Sequence, residues 1–303
     1  MSNIISNNDL LERFVFENAP VRGEFIRLHE SFQTIIQQHA YPLVIAKLLG
    51  EALCVGALLS AIIKFEGRLT VQFRGQGKLK LLLAQSDNQF NLRGLVKWSG
   101  EFESYEELLR SLAEGVLVIT LDGGTAKNRY QGIVAWTGNS LAESIEGYFQ
   151  HSEQLATKLW LSVNETTAAG LLLQIIPAAT QNASTAGKEA LNPDWERIIK
   201  ATTMQLLPEN LLEMDPQALL VKLYPNEEVR IFPSTPVKFT CTCSRKRGEE
   251  AINLIGQEEA EQELKDKQVI VVTCDFCGKE YVFDRVDVEE IFKKQIPPDT
   301  HLH

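Results

Sequence analysis

Four of the five cysteines fall within 37 residues near the C-terminus, as Cys241-Thr242-Cys243 and, 30 residues later, Cys274-Asp275-Phe276-Cys277. No other feature constrains the chain as much. Structural zinc takes four tetrahedral nitrogen or sulfur ligands, and cysteine thiolates suit it. Cys-x-x-Cys-Gly is a strong half-site when a second pair is present, because a tight turn aims both sulfurs at one ion and Gly278 permits the left-handed backbone such a turn needs. Cys-x-Cys is less usual. In extended chain, residues two apart share a face at roughly 6.5 Å between Cα atoms, so both sulfurs reach one ion if their rotamers converge. No histidine lies between 152 and 300, which excludes a histidine ligand from this segment. With cysteine at all four positions no coordination site is left open for water, which weakens a catalytic-zinc reading. Cys241, Cys243, Cys274 and Cys277 are therefore the expected ligands of one Zn²⁺.

The segment carrying them, 237–292, is short and charge-rich, with runs such as GQEEAEQELKDKQ. A core of under about 60 residues is marginal alone, and structural zinc contributes on the order of 10 kcal/mol to such a unit. Arg245, Lys246, Arg247 and Lys279 flank the pairs. They either offset the charge of four thiolates and help to hold them ionised, or form a solvated basic face. Spacing alone also leaves two roles for the metal, a permanent staple or a switch. So short a disulfide as Cys-x-Cys is strained and easily reduced again, which tilts the balance toward the switch without deciding it.

A chain of 303 residues accommodates about two domains. Its net charge of -10 disfavours non-specific binding to phosphate backbones. The N-terminal MSNIISNNDLLERF has no basic region followed by an apolar run, so no secretory signal is expected. The apolar stretch Leu43 to Phe65 is interrupted by Lys47, Gly50, Glu51, Gly56, Ser60 and Lys64 and reads as a buried helix rather than a membrane span. A cytoplasmic location follows as the expectation, and there clustered cysteines suggest metal or redox chemistry. Cys54, alone in LLGEALCVGALL, reads as a small buried hydrophobe.

The fold class expected is α+β: an N-terminal mixed α/β domain over 1–178, a helical linker over 179–236 and a small C-terminal Cys₄ zinc domain over 237–303. In the first, strands are expected at 12–16 and 21–28 around Asn18-Ala19-Pro20, then a long helix over 42–63 with Pro42 in its first turn. Strands at 67–74, 78–85 and 90–97 follow, with Gly75-Gln76-Gly77 as the first turn. A helix is expected at 103–113, strands at 115–121 and 128–136, and a helix at 140–150. Strands at 157–164 and 168–176 would close a single antiparallel or mixed sheet. Pro177 to Glu189 has linker composition. Residues 193–224 read as two or three short amphipathic helices, with Pro193, Pro208 and Pro216 near their starts and Asn192 and Asp215 as N-caps.

VKFTCTCSRKR (237–247) and VTCDFCGKEYVFD (272–284) resemble the redox-regulated heat-shock chaperone family, also called the 33 kDa chaperonin. VRGEFIRL (21–28), the stretch 48–84, the stretch 130–161 and DWERIIKAT (194–202) are similar to it as well, in family order over nearly the whole chain. The resemblance implies a cytoplasmic, ATP-independent holdase for unfolding clients, with no enzymatic activity. Reduced and zinc-bound it would be inactive. Oxidation would form Cys241–Cys243 and Cys274–Cys277 disulfides, release zinc, unfold the C-terminal part and produce a homodimer. Such disulfides close only tiny loops, which stabilise little, so the tie between residues 241 and 277 would be lost. Lys246 stands where an acidic residue is common in the family, and Gly278 where Asn is common; neither change removes a ligand. Trp195, Ile198, Ile199, Leu206, Leu207, Leu211, Leu212, Leu219, Leu220 and Leu223 would offer a client surface if the zinc domain let go.

Two other classes compete. A zinc-ribbon nucleic-acid-binding protein would use Arg245, Lys246 and Arg247 with Phe276, Tyr281 and Phe283, against an acidic run at 258–263. A thiol oxidoreductase would need Cys-x-x-Cys at the head of a helix in a βαβ unit, whereas strand-like VIVVT and EYVF flank it here. No hydrolase arrangement is visible: Ser140 lacks a nucleophile elbow, His29, His39, His151, His301 and His303 are scattered, Gly75-x-Gly77 has no phosphate-loop continuation, and Asp122-Gly123-Gly124 reads as a turn.

Overall fold

The computed structural model describes residues 9–124, 129–136, 140–177 and 192–293. The linker-like stretch expected at 177–189 lies almost wholly outside these residues, as does the boundary expected at 178/179. The chain separates into two compact units, Met1–Thr240 and Cys241–His303.

Helix α2 (Leu43–Ile62) organises the first unit. Fifteen of its twenty residues are buried, Ile45 to Ser60 almost without a break. A helix apolar on all sides must be covered on all sides, and two sheets provide the cover. By length and composition it could cross a membrane, but here its side chains fill the protein interior.

The first sheet holds β1 (Leu10–Phe16), β2 (Val21–Leu28), β8 (Thr157–Val163), β9 (Ala168–Ile175) and the short β10 (Val229–Ile231), in the order β10-β1-β2-β9-β8, with β11 (Thr235–Pro236) also pairing β1. The second holds β3 (Arg68–Gly75), β4 (Leu79–Asp87), β5 (Asn91–Trp98), β6 (Gly115–Asp122), β7 (Arg129–Val134) and β12 (Lys238–Phe239), in the order β12-β5-β4-β3-β6-β7. All pairings are antiparallel except β12 with β5. Both sheets approach α2 closely. A Cβ on Gly94 of β5 would meet Leu49 and Leu53 at 2.9 and 3.0 Å, and one on Gly170 of β9 would meet Leu58 at 3.0 Å.

This corrects the expectation of one sheet. The strands at 157–163 and 168–175 do not close the sheet of β3–β7; they join β1 and β2 on the opposite side of α2. Helix α1 (Glu30–Gln37) is a second departure. No side chain caps it locally; instead Asp9, twenty-one residues upstream of Glu30, accepts from the backbone N–H of Glu30 at 3.0 Å and of Ser31 at 2.7 Å. Helices α3 (Tyr105–Ser111) and α4 (Leu141–Tyr148) are capped by Ser104 and Ser140, so Ser140 has a structural task.

The outer face of the first sheet is covered by α5 (Pro193–Gln205), α6 (Pro208–Glu213) and α7 (Pro216–Leu223). Each begins with proline; Asn192 caps α5 through the N–H of Asp194 at 2.9 Å, and Asp215 caps α7 through that of Ala218 at 3.0 Å. Ile198, Leu211, Leu219, Leu220 and Leu223 are buried against Phe14, Phe16, Phe25, Leu171 and Leu173, with Trp195, Ile199, Leu206 and Leu212 packed partly buried at the rim. Leu207 is half exposed.

The second unit contains α8 (Arg245–Ile255), α9 (Gln257–Lys267), the hairpin β13 (Ile270–Thr273) and β14 (Glu280–Phe283), and α10 (Arg285–Lys293). Among the described residues its core is seven buried side chains: Ile252, Ala260, Leu264, Ile270, Phe283, Val288 and Ile291.

Candidate metal centre

Two chain segments bring the four thiols together. Cys241 and Cys243 lie in non-repetitive chain immediately before α8, whose N-cap Ser244 accepts from the N–H of Arg247 at 3.3 Å. The first pair is therefore not on a strand. Cys274 and Cys277 form the turn of the β13–β14 hairpin. Gly278 N–H donates to Cys274 O at 2.9 Å, and Cys274 N–H donates to Lys279 O at 2.9 Å. Gly278 closes this turn at φ +63°, the left-handed region that costs glycine little.

The four sulfurs lie within 4.8 Å of one another. Cys241 Sγ is 3.6 Å from Cys274 Sγ, and Cys243 Sγ is 3.4 Å from Cys277 Sγ. A tetrahedron of thiolates around zinc, with Zn–S near 2.3 Å, has edges of about 3.8 Å. The donor set thus fits a thiophilic divalent ion with little movement. All four are half-buried, while Cys54 is fully buried in the first unit with its thiol pushed well up by burial.

Tyr281, on β14, donates its O–H to Cys243 Sγ at 3.1 Å. Burial opposes ionisation of Cys243, but hydrogen bonds from Tyr281 and the other three thiols outweigh it and bring that thiol down to about 7. Burial, reinforced by the neighbouring sulfurs, pushes Cys277 up to about 12, and burial raises Cys241. The thiols alone therefore concentrate negative charge on Cys243, and a divalent cation favours its spread over all four.

Three of the flanking basic residues are engaged within the unit. Arg245 pairs with Asp287 at 2.7 Å, donates to Val282 O at 2.8 Å and stacks 4.3 Å from the Phe283 ring centroid. Arg247 donates to Thr242 Oγ1 at 2.9 Å, inside the first pair, and Lys279 Nζ sits 5.2 Å from the Tyr281 ring centroid. Sequence reasoning placed the four cysteines but gave Tyr281 only an aromatic role. Its position four residues beyond Cys277, on the strand that returns along β13, is the signal that could have found it.

The pattern that defines the Hsp33 protein family matches residues 9–284. The chain belongs to the Hsp33 family. The 33 kDa chaperonin of Nitrosococcus oceani is 40% identical over 293 residues, covering 96% of this chain and 97% of the relative. That of Shewanella loihica is 38% identical over 294 residues, covering 97% and 99%. The crystal structure of the 33 kDa chaperonin (Hsp33) from Thermotoga maritima superposes with a TM-score of 0.80 at 23% identity, over 96% of this chain and 99% of that one. At that identity the likeness carries the fold alone. Family membership makes this Hsp33 chain a chaperone.

Proposed function

We propose that this Hsp33-family chaperone is an ATP-independent holdase whose client binding is governed by the redox state of Cys241, Cys243, Cys274 and Cys277. The observation that carries the reading is the gathering of four sulfurs within 4.8 Å, drawn from two distant segments, in a unit with only seven buried apolar side chains among the described residues. Zn²⁺ held by the four thiolates supplies the cross-link that so small a core needs. A disulfide brings two sulfurs to about 2.05 Å and dissolves the tetrahedral set. Bonds Cys241–Cys243 and Cys274–Cys277 therefore release zinc and leave the two segments untied, and the unit loses its fold.

Clients are unfolding or aggregation-prone proteins, bound through apolar side chains of the 193–224 segment and the sheet face beneath it. The oxidised protein acts as a homodimer in the cytoplasm, catalyses no reaction and takes no nucleic acid. Internal engagement of Arg245 and Arg247, together with the net charge of -10, supports that last point.

The deciding experiment dilutes a chemically unfolded protein into the reduced, zinc-loaded form or into the form oxidised with peroxide at elevated temperature, and follows light scattering. Suppression of aggregation by the oxidised form alone is the expected result. Equal suppression by both would leave a chaperone without this switch. No suppression by either would make the metal a staple, and a salt-sensitive gel shift would then test nucleic-acid binding.

A further inference from the structure

Arg27 lies on the outer face of β2 and is 7% exposed, an unusual place for a guanidinium. It reaches the end of α6. Its Nε and Nη2 donate to Leu211 O at 3.2 and 2.8 Å, and Nη2 also donates to Met214 O. The last carbonyls of a helix have no partner within it; Leu211 O is one of these in α6, and Met214 O follows at the helix's C-cap, where the backbone has already turned extended. A planar guanidinium with several donors in a fixed fork suits two such carbonyls at once. The buried cation is balanced by two carboxylates, Glu12 on β1 and Asp215 at the α6–α7 junction. Its guanidinium carbon lies 5.2 Å from the Phe25 ring centroid, so the head group also rests over an aromatic face.

We propose that Arg27 is a positioning residue that latches the α6–α7 junction, and with it the helical segment 193–224, onto the outer face of the first sheet. The apolar contacts of that segment come from short helices, of six and eight residues for α6 and α7, too short to persist undocked. Arg27 is the polar tie that fixes their register. Its loss leaves two carbonyls unpartnered against the sheet and sets Glu12 and Asp215 against each other without a cation between them. The consequence for clients rests on the holdase reading above; the latch itself rests only on these contacts.

The test uses the full-length, reduced, zinc-loaded protein carrying Arg27→Met, which keeps the stem and removes the fork. Amide exchange within 193–224 is expected to accelerate by at least about tenfold, while exchange in β9 and in β13–β14 and the zinc content stay at parental values. Aggregation of reduced, unfolded lysozyme is then suppressed without oxidant. Unchanged exchange in 193–224, or acceleration spread equally over β9, overturns the latch. Accelerated exchange in 193–224 with no suppression of aggregation leaves the latch standing and overturns the client surface instead. If Arg27→Met does not fold, Arg27→Lys carries the test: it keeps the charge near Glu12 and Asp215 but lacks the fork, and parental exchange in that variant overturns the proposal.

Discussion

The phenol of Tyr281 donates its hydrogen to Cys243 Sγ at 3.1 Å, from a strand that also closes the hairpin bearing Cys274 and Cys277. Its own proton is held more tightly in consequence, with the phenol pushed up to about 12 by the bond to Cys243. A group that hydrogen-bonds a metal ligand orients it and tunes its hold on the ion, and removing such a partner typically costs about 10- to 100-fold in affinity. Tyr281→Phe keeps the ring and loses only the donor. Competition against a chromogenic chelator is expected to show zinc bound about tenfold more weakly, with the far-UV spectrum of the zinc-loaded protein unchanged. Parental affinity would remove Tyr281 from the centre.

Chelation should separate the two units. Among the described residues the second unit has seven buried apolar side chains, whereas the first has a core that runs through both sheets and α2. Stripping the metal under reducing conditions, or Cys274→Ser, is expected to melt α8, α9 and α10 while leaving the first unit folded. All four tryptophans, Trp98, Trp136, Trp160 and Trp195, lie in the first unit. Far-UV helical signal should therefore fall while the tryptophan emission maximum stays put. A red shift of that emission on chelation would show that the first unit also depends on the metal.

What the sequence made legible was whatever is encoded locally. The all-apolar 43–62 run announces a helix covered on every side, proline with Asn192 or Asp215 marks helix starts, and Cys-x-x-Cys-Gly marks a turn with a left-handed glycine. What it hid depends on partners far along the chain. Helix α1 lacks a local cap because Asp9 supplies one from just before β1. The division into two sheets is invisible to strand periodicity, which says that 157–163 and 168–175 are strands but not which neighbour they pair with. Arg27 reads as one more polar residue in VRGEFIRL, and only folding sets it under the carbonyls of Leu211 and Met214.

Two buried carboxyls in the first unit set a pH dependence. Glu24 on β2 is pushed up to about 8, first by burial, with Arg13 and Arg22 pulling the other way. Glu51 on α2 is pushed up to about 7, again first by burial. Both start from an ordinary value of 4.5. A carboxyl that holds its proton more tightly when folded contributes stability that is fully present below 4.5 and is lost as pH rises through the folded value. The first unit should thus lose on the order of 2 kcal/mol per group between pH 5 and pH 8.5. Denaturant unfolding followed by tryptophan emission checks this, because the four clustered thiols, whose hold on a metal would strengthen as they ionise, belong to the other unit. Glu24→Gln should flatten the slope, and a first unit that gains stability over this range would refute the assignment.

Which sulfurs join decides whether oxidation unties the second unit or locks it. Close approaches run between the pairs, Cys241 with Cys274 at 3.6 Å and Cys243 with Cys277 at 3.4 Å. If oxidation simply captured the folded arrangement, the cross-linked pairs would form. Each would close a loop of more than thirty residues, which in the chain-entropy picture stabilises the unit by about 3 to 4 kcal/mol. Oxidation would then lock the fold. The proposed switch needs the opposite: Cys241–Cys243 and Cys274–Cys277, which close loops too small to restrain the chain. Peptide mapping after peroxide at elevated temperature, with zinc release followed in the same sample, distinguishes the two. Neighbouring bonds formed in step with zinc release and with loss of helical signal are expected. Cross-linked bonds with the helical signal retained would mean that oxidation preserves the second unit, and the client surface would then have to be exposed by another route.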